Sequence, residues 1–298
     1  MRPVELTVVI PSVNGLHDLI GCLEAVERMR DGLALEVLVV DRLGPLVREL
    51  VRSRFPEVRL LPVPASTTIP EMRHLAFQEA RADAVAVIED HVIVPPEWGR
   101  KLLDGLAAGH DVVGGPIANA ADQRLLDWST FLCEYSACLP PLPEGAANWL
   151  PGNNIVYRRA LLERFREVTA EGKWENRLHD AMRAEGITLY CDASLIVGHK
   201  KHFGFVEYIS QRYLYSRSYA GARVAGAPTA RRLAMGAAAL ALPPLLLLRI
   251  LRGNLAKGVP RGLVVTTTPF HLVYVSAWAV GEIVGYWFGP GDSLAKVR

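Results

Sequence analysis

Short apolar runs and helix-period patterns alternate through the first two thirds of the chain. Val4 to Ile10, Leu35 to Val40, Val58 to Pro62 and Val85 to Ile88 are apolar runs, and amphipathic stretches separate them at about Leu16 to Met29, Pro45 to Arg54 and about Pro70 to Arg81. Strands alternating with helices of this size predict right-handed crossovers and a mostly parallel sheet, an α/β fold. A strand at Asp111 to Gly115 and a helix near Gln123 to Glu134 extend the layer. After the Pro-rich loop Pro140 to Gly145, the stretches Asn153 to Tyr157, Arg159 to Phe165 and Trp174 to Glu185 complete a second half.

The run Ala84 to Ile88 stops abruptly in Glu89, Asp90 and His91. A continuous apolar run reads as a central strand buried on both faces, and open α/β sheets bind their substrates at the carboxyl edge of such strands. Two carboxylates and an imidazole at that edge can hold a divalent cation against the phosphates of a nucleotide. The alternative is that Glu89 or Asp90 caps the next loop and His91 packs beside it.

The pattern changes near residue 230. Leu233 to Leu248 carries no charge, and Leu263 to Phe288 carries only Glu282, so both read as membrane segments. At about 1.5 Å per residue the first reaches roughly 24 Å, short of the approximately 30 Å hydrocarbon slab, and Pro243-Pro244 interrupts it. Arg231 and Arg232 precede it while Arg249, Arg252, Lys257 and Arg261 follow, which draws both ends to the cytoplasmic face. A re-entrant or in-plane helix is therefore expected there, with a buried soluble hairpin as the alternative. Tyr208 to Arg223, with Arg212, Tyr213, Tyr215, Arg217 and Tyr219, reads as an interfacial helix or as an amphipathic helix packed on the domain. His271 and Glu282 are costly in lipid and are expected to pair with each other or with the loop arginines.

Composition narrows the partners. The chain has 298 residues, 50% of them hydrophobic, enough for one α/β core with a remainder that a single soluble domain would not need. A net charge of +2 without a basic, aromatic-interleaved stripe argues against nucleic acid. Cys22, Cys133, Cys138 and Cys191 are scattered and no hydrophobic leader precedes the first strand, so reduced thiols and a cytosolic catalytic portion are expected.

Taken in order over about residues 4 to 220, these segments resemble the family 2 inverting glycosyltransferases of the GT-A fold. Val8-Val9-Ile10-Pro11-Ser12-Val13-Asn14 is similar to the family's first strand and Pro-x-x-Asn turn, which puts Pro11, Val13 and Asn14 under the nucleotide. Val39-Val40-Asp41 resembles the strand whose Asp contacts the base, although Asp41-Arg42-Leu43-Gly44 replaces the usual Asp-Asp-Gly-Ser. Arg73 stands where the family has an Arg near the nucleotide, suited to diphosphate oxygens, unless it lies on a solvated helix face. Glu89-Asp90-His91 before Pro95-Pro96-Glu97-Trp98 resembles the Asp-x-Asp strand end followed by Pro-Pro-x-Trp, with Glu89 at the first Asp and His91 at the usual metal ligand. Glu89 and Asp90 then face the donor, and an imidazole ligand implies Mn in preference to Mg.

Pro151-Gly152-Asn153-Asn154 and the Arg158-Arg159 pair resemble the segment that lines the acceptor side. Gly152 permits close backbone approach and Asn154 offers donor and acceptor to a sugar hydroxyl, though Gly-Asn-Asn is also an ordinary turn. Aligned on Leu178 and Gly186, Trp174 and Glu175 fall on the family's Glu-Asp pair. The resemblance makes Glu175 the base that takes the acceptor's proton, or, failing that, a first-turn Glu favoured by the helix dipole. His199 falls where the family ends its catalytic domain in a His near metal or diphosphate, with His202 a weaker neighbour.

The resemblance implies a GT-A domain at 1–220, a Rossmann-like mixed, mostly parallel sheet flanked by helices, with a nucleotide-sugar half at 1–117 and an acceptor half at 118–220. A helical region at 221–298 would then hold the active site against the cytoplasmic face of an inner or plasma membrane. The expected reaction moves a sugar from a nucleotide-diphosphate donor to a lipid-linked or membrane-proximal acceptor with inversion, with a divalent metal on the diphosphate. The alternative is a catalytically inactive membrane scaffold or nucleotide-binding subunit of the same fold. A sugar nucleotidyltransferase would want a Gly-rich loop with a basic residue near the first strand, and Pro11 to Leu16 has one Gly and no Lys or Arg.

Overall fold

The computed structural model describes residues 3–30 and 32–297. Its strands are β1 Leu6–Ser12, β2 Leu35–Asp41, β3 Arg59–Pro62, β4 Ala84–Val87, β5 Val92–Ile93, β6 Val112–Gly114, β7 Ile117–Asn119, β8 Gly145–Ala147, β9 Ile155–Arg158, β10 Leu189–Cys191 and β11 Val197–His199. The helices are α1 Leu16–Met29, α2 Pro45–Arg54, α3 Ile69–Glu79, α4 Trp98–Ala107, α5 Leu125–Tyr135, α6 Arg159–Arg164, α7 Arg166–Ala170, α8 Glu175–Ala184, α9 Phe205–Arg223, α10 Thr229–Ala238, α11 Leu242–Ala256 and α12 Arg261–Phe288. They group into two compact units, residues up to Ala120 with Cys138–Lys200, and Ala121–Ala137 with the residues from Lys201 onward.

The first unit is built on an eight-stranded sheet of order β3-β2-β1-β4-β9-β6-β10-β8. β1 has β2 and β4 parallel on its two sides, and every one of its residues is buried, with Thr7 and Ser12 satisfied by hydrogen bonds to Glu36 and Asp41 of β2. β9 runs antiparallel between β4 and β6, which gives the mixed, mostly parallel sheet that the resemblance implied. A second sheet of order β5-β11-β7 sets His199 opposite Val92. Helix starts follow local chemistry. Thr68 and Glu71 close a capping box on α3 with Pro70 in its first turn, and α2 opens on Pro45.

In the second unit α9 and α12 lie side by side. Gly281 and Gly285 permit this, because a Cβ at Gly281 would sit 2.4 Å from the Tyr213 carbonyl oxygen and one at Gly285 would sit 2.5 Å from that of Arg217. The charged side chains of α9 are matched across this seam. Arg212 stacks 4.2 Å from the Trp278 ring, and Arg223 lies 3.8 Å from Glu282, which also accepts from Trp278 Nε1 at 2.8 Å. Glu282 and His271 thus do not pair with each other: His271 donates from Nε2 to the Ser129 carbonyl at 3.1 Å.

The apolar stretch at 233–248 is longer as a helix than its uncharged run suggests. Thr229–Ala256 is one helical run of 28 residues, about 42 Å at 1.5 Å per residue. Pro243 and Pro244 fall in the first turn of α11, just after a 3₁₀ turn, where a missing N–H costs little. By length and composition this run and Arg261–Phe288 both suffice to cross a membrane, so shortness no longer argues for an in-plane helix.

Candidate active site

At the end of β4 the chain turns through Glu89, Asp90 and His91. Asp90 is fully buried and receives the backbone N–H groups of Val13 at 2.7 Å and Asn14 at 2.8 Å, together with the Asn14 amide at 2.6 Å. Burial pushes its carboxyl pKa up, but hydrogen bonds from His91 and Asn14 outweigh this and hold it below the usual carboxylate range. Asp90 is therefore the pin that fixes the Pro11-to-Asn14 turn against the end of β4. Pro11 and Val13 are buried within this joint, while Asn14 stays partly accessible.

His91 and His199, 108 residues apart, meet because β5 starts directly after His91 and pairs with the end of β11. Their Nε2 atoms are 2.8 Å apart, and Glu89 Oε2 lies 3.4 Å from Nε2 of His91. His91 Nδ1 is 3.2 Å from Asp90 Oδ1 and 3.1 Å from the Asn14 amide nitrogen. The carboxylate is the stronger hydrogen-bonding partner, and with a proton on Nδ1 against it Nε2 presents a lone pair. One atom each from Glu89, His91 and His199 then converges within 4.8 Å, a donor set that fits a divalent cation.

Beside this cluster, Arg73 on α3 donates to Glu175 Oε2 at 2.8 Å and to Glu89 Oε1 at 3.4 Å. Its side chain is 8% exposed, so it is not the solvated helix-face residue that the spacing also allowed. Glu175 opens α8, with Trp174 as the preceding cap residue and its ring 6.0 Å from the guanidinium. Both carboxylates reach the surface, at 19% exposure for Glu89 and 21% for Glu175. Asn153 donates to Glu89 Oε2 at 3.0 Å. Gly152 makes room for the Glu175 side chain, since a Cβ there would lie 2.5 Å from Glu175 Cδ. A pocket lined by Pro70, Phe77, Tyr157 and Leu178 reaches Glu175 and Arg73.

Two residues expected to contact ligands are buried and hydrogen-bonded within the protein. Asn154 is fully buried, accepts from Trp98 Nε1 at 2.9 Å and donates to the carbonyls of Leu195 at 2.7 Å and Pro116 at 3.0 Å. It ties the Pro-Pro-x-Trp segment to the Gly-Asn-Asn turn and is sealed from a sugar. Asp41 is likewise fully buried, held by Arg48 at 2.8 Å, Ser12 at 3.1 Å and the N–H groups of Leu43 and Gly44. In this structure it caps the entry to α2. Sequence reasoning missed the pair beneath α8, where Tyr157 OH and His179 Nε2 are hydrogen-bonded at 2.8 Å. Burial lowers the His179 pKa from 6.5 to about 4, so it is neutral there, and burial pushes the Tyr157 phenol up. The available signal was spacing, since His179 lies one helical turn after Glu175.

The family model described as Glycosyl transferase family 2 matches residues 7–165, more than half of the chain. The chain belongs to this family. It is similar in fold to the mannosyltransferase PcManGT from Pyrobaculum calidifontis in complex with GDP-Man and Mn2+, with 18% identity and a TM-score of 0.53 over 95% of this chain and 87% of that one. The crystal structure of S. aureus TarS 1-349 matches with 16% identity and a TM-score of 0.49 over 73% of this chain, which spans 64% of the TarS chain. No curated protein matches. The mixed, mostly parallel sheet flanked by helices is GT-A-like, as the resemblance implied.

Proposed function

We propose that this family 2 protein is an inverting glycosyltransferase that moves a sugar from a nucleotide-diphosphate donor to a membrane-associated acceptor. The observation that carries the reading is the convergence of Glu89, His91 and His199 beside the Arg73–Glu175 pair, with both carboxylates still reaching solvent. A divalent cation held by Glu89, His91 and His199 would neutralise charge on the departing diphosphate, and a donor set of two imidazoles and one carboxylate suits Mn better than Mg. The GDP-Man and Mn2+ of the similarly folded Pyrobaculum protein support a donor and ion of these kinds.

The chain's own residues divide the remaining work. Asn14, on the turn pinned by Asp90, and Arg73 face the donor end, where a guanidinium fork suits diphosphate oxygens. Glu175, at a helix N-terminus that favours its ionised form, takes the proton as the acceptor hydroxyl attacks opposite the leaving group. Positioned proton transfer of this kind is worth about a hundred- to ten-thousandfold in rate. Trp174, Gly152 and Asn153 border the acceptor side. The two long apolar helices would tether the chain to a lipid bilayer, which raises the local concentration of a lipid-linked acceptor, with the catalytic unit on the cytoplasmic face.

Glu175→Gln tests the assignment: transfer should fall by at least about a hundredfold while calorimetry at saturating Mn2+ shows nucleotide-diphosphate binding nearly intact. Retained turnover would remove Glu175 from the chemistry or point to an acceptor that is already an anion. Absence of Mn-dependent binding of any nucleoside diphosphate would favour an inactive scaffold instead.

A further inference from the structure

We propose that Arg73 is a positioning residue that couples the cation cluster to the base, one planar fork holding Glu175 through one nitrogen and Glu89 through the other. The inference rests on the reading of Glu89, His91 and His199 as cation ligands. The two contacts are unequal, 2.8 Å to Glu175 and 3.4 Å to Glu89, and both come from one guanidinium whose side chain is 8% exposed. A rigid fork enclosed to this degree cannot tighten on one carboxylate without loosening from the other. Glu89 is contested in the same way. Its Oε1 faces Arg73, while Oε2 faces Asn153 at 3.0 Å and His91 Nε2 at 3.4 Å, the side on which a cation would be held.

Glu175 therefore draws the guanidinium away from Glu89 and leaves that carboxylate freer for a divalent ion. Linkage makes the effect mutual, because an ion on Glu89 repels Arg73 toward Glu175 or toward an arriving diphosphate. Arg73 thereby keeps the base engaged until the donor end is filled.

The test is a double-mutant cycle read by Mn2+ affinity, from the electron paramagnetic resonance of the free ion in titrations of the full-length protein without donor. Glu175→Gln, which removes no cation ligand, should weaken Mn2+ binding by about fivefold or more. In an Arg73→Lys background, where a single ammonium nitrogen replaces the two-nitrogen fork, the same change should shift affinity by less than about twofold. A loss of equal size in both backgrounds would be a long-range charge effect and would overturn the coupling, as would an unchanged affinity in the single variant. If Arg73→Lys fails to fold by circular dichroism, Arg73→Gln takes its place with the same expectation. Wild-type protein that binds no Mn2+ overturns the cation reading and this inference together, whereas Mn2+ bound equally by wild type and Glu175→Gln overturns this inference alone.

Discussion

Gly152→Ala isolates the geometry of the proposed base without touching a charged group. The added methyl would meet Glu175 at 2.5 Å from Cδ, 2.7 Å from Cγ and 2.8 Å from Oε2. Carbon atoms pack at about 3.5–4.0 Å, so the carboxylate must retreat by about 1 Å. Glu175 is a flexible side chain at 21% exposure, so it can move without disturbing the sheet, and the cost in stability is its hydrogen bond to Arg73, about 1–3 kcal/mol. The catalytic cost is larger, because a displacement of this size in a reacting geometry is worth about a hundredfold in rate. The expected result is transfer reduced by about a hundredfold, with donor affinity changed little and a melting temperature lowered by only a few degrees. Initial rates with whichever nucleotide sugar the wild type turns over, alongside calorimetry and thermal melts in detergent, measure all three. A Gly152→Ala protein that transfers at the wild-type rate would refute the placement of the base.

Two further expectations concern the frame of the site. Trp98→Phe removes the 2.9 Å bond to buried Asn154 and leaves its oxygen unpaired, which should destabilise the protein by about 2–4 kcal/mol in urea titrations; a loss below about 1 kcal/mol would mean that the tie is not structural. His179 has its pKa lowered in the folded state from 6.5 to about 4, so the unfolded chain binds the extra proton between those values. The associated stability is complete above pH 6.5 and is lost progressively as pH falls toward 4, by about 3 kcal/mol in total. Melts of wild type and His179→Gln over that range should diverge, and parallel curves would show that His179 is not buried in its neutral form.

Much of the first unit was legible in the chain because its signals are local. The run that became β4 is apolar without alternation since it is covered on both faces, β1 and β2 are mostly apolar, and the lengths of α1 and α2 follow from amphipathic period and from Pro45. Glu89 and His91 were nameable from the polar cluster that follows a buried strand, whereas Glu175 and His199 were named through the family resemblance.

What each of these groups touches was decided only by the tertiary structure. Asp41, Asp90 and Asn154 look alike on paper as ligands at strand ends and turns, yet burial and hydrogen bonds to residues as far as 77 positions away make them struts. The antiparallel course of β9, the His91–His199 contact and the double engagement of Arg73 likewise depend on strand register and on pairings 108, 102 and 16 residues apart. Sequence periodicity reports whether a position is covered, since coverage selects for apolarity. It carries no record of which distant polar group does the covering, because one carboxylate or amide suits a ligand, a cap or a buried tie equally well.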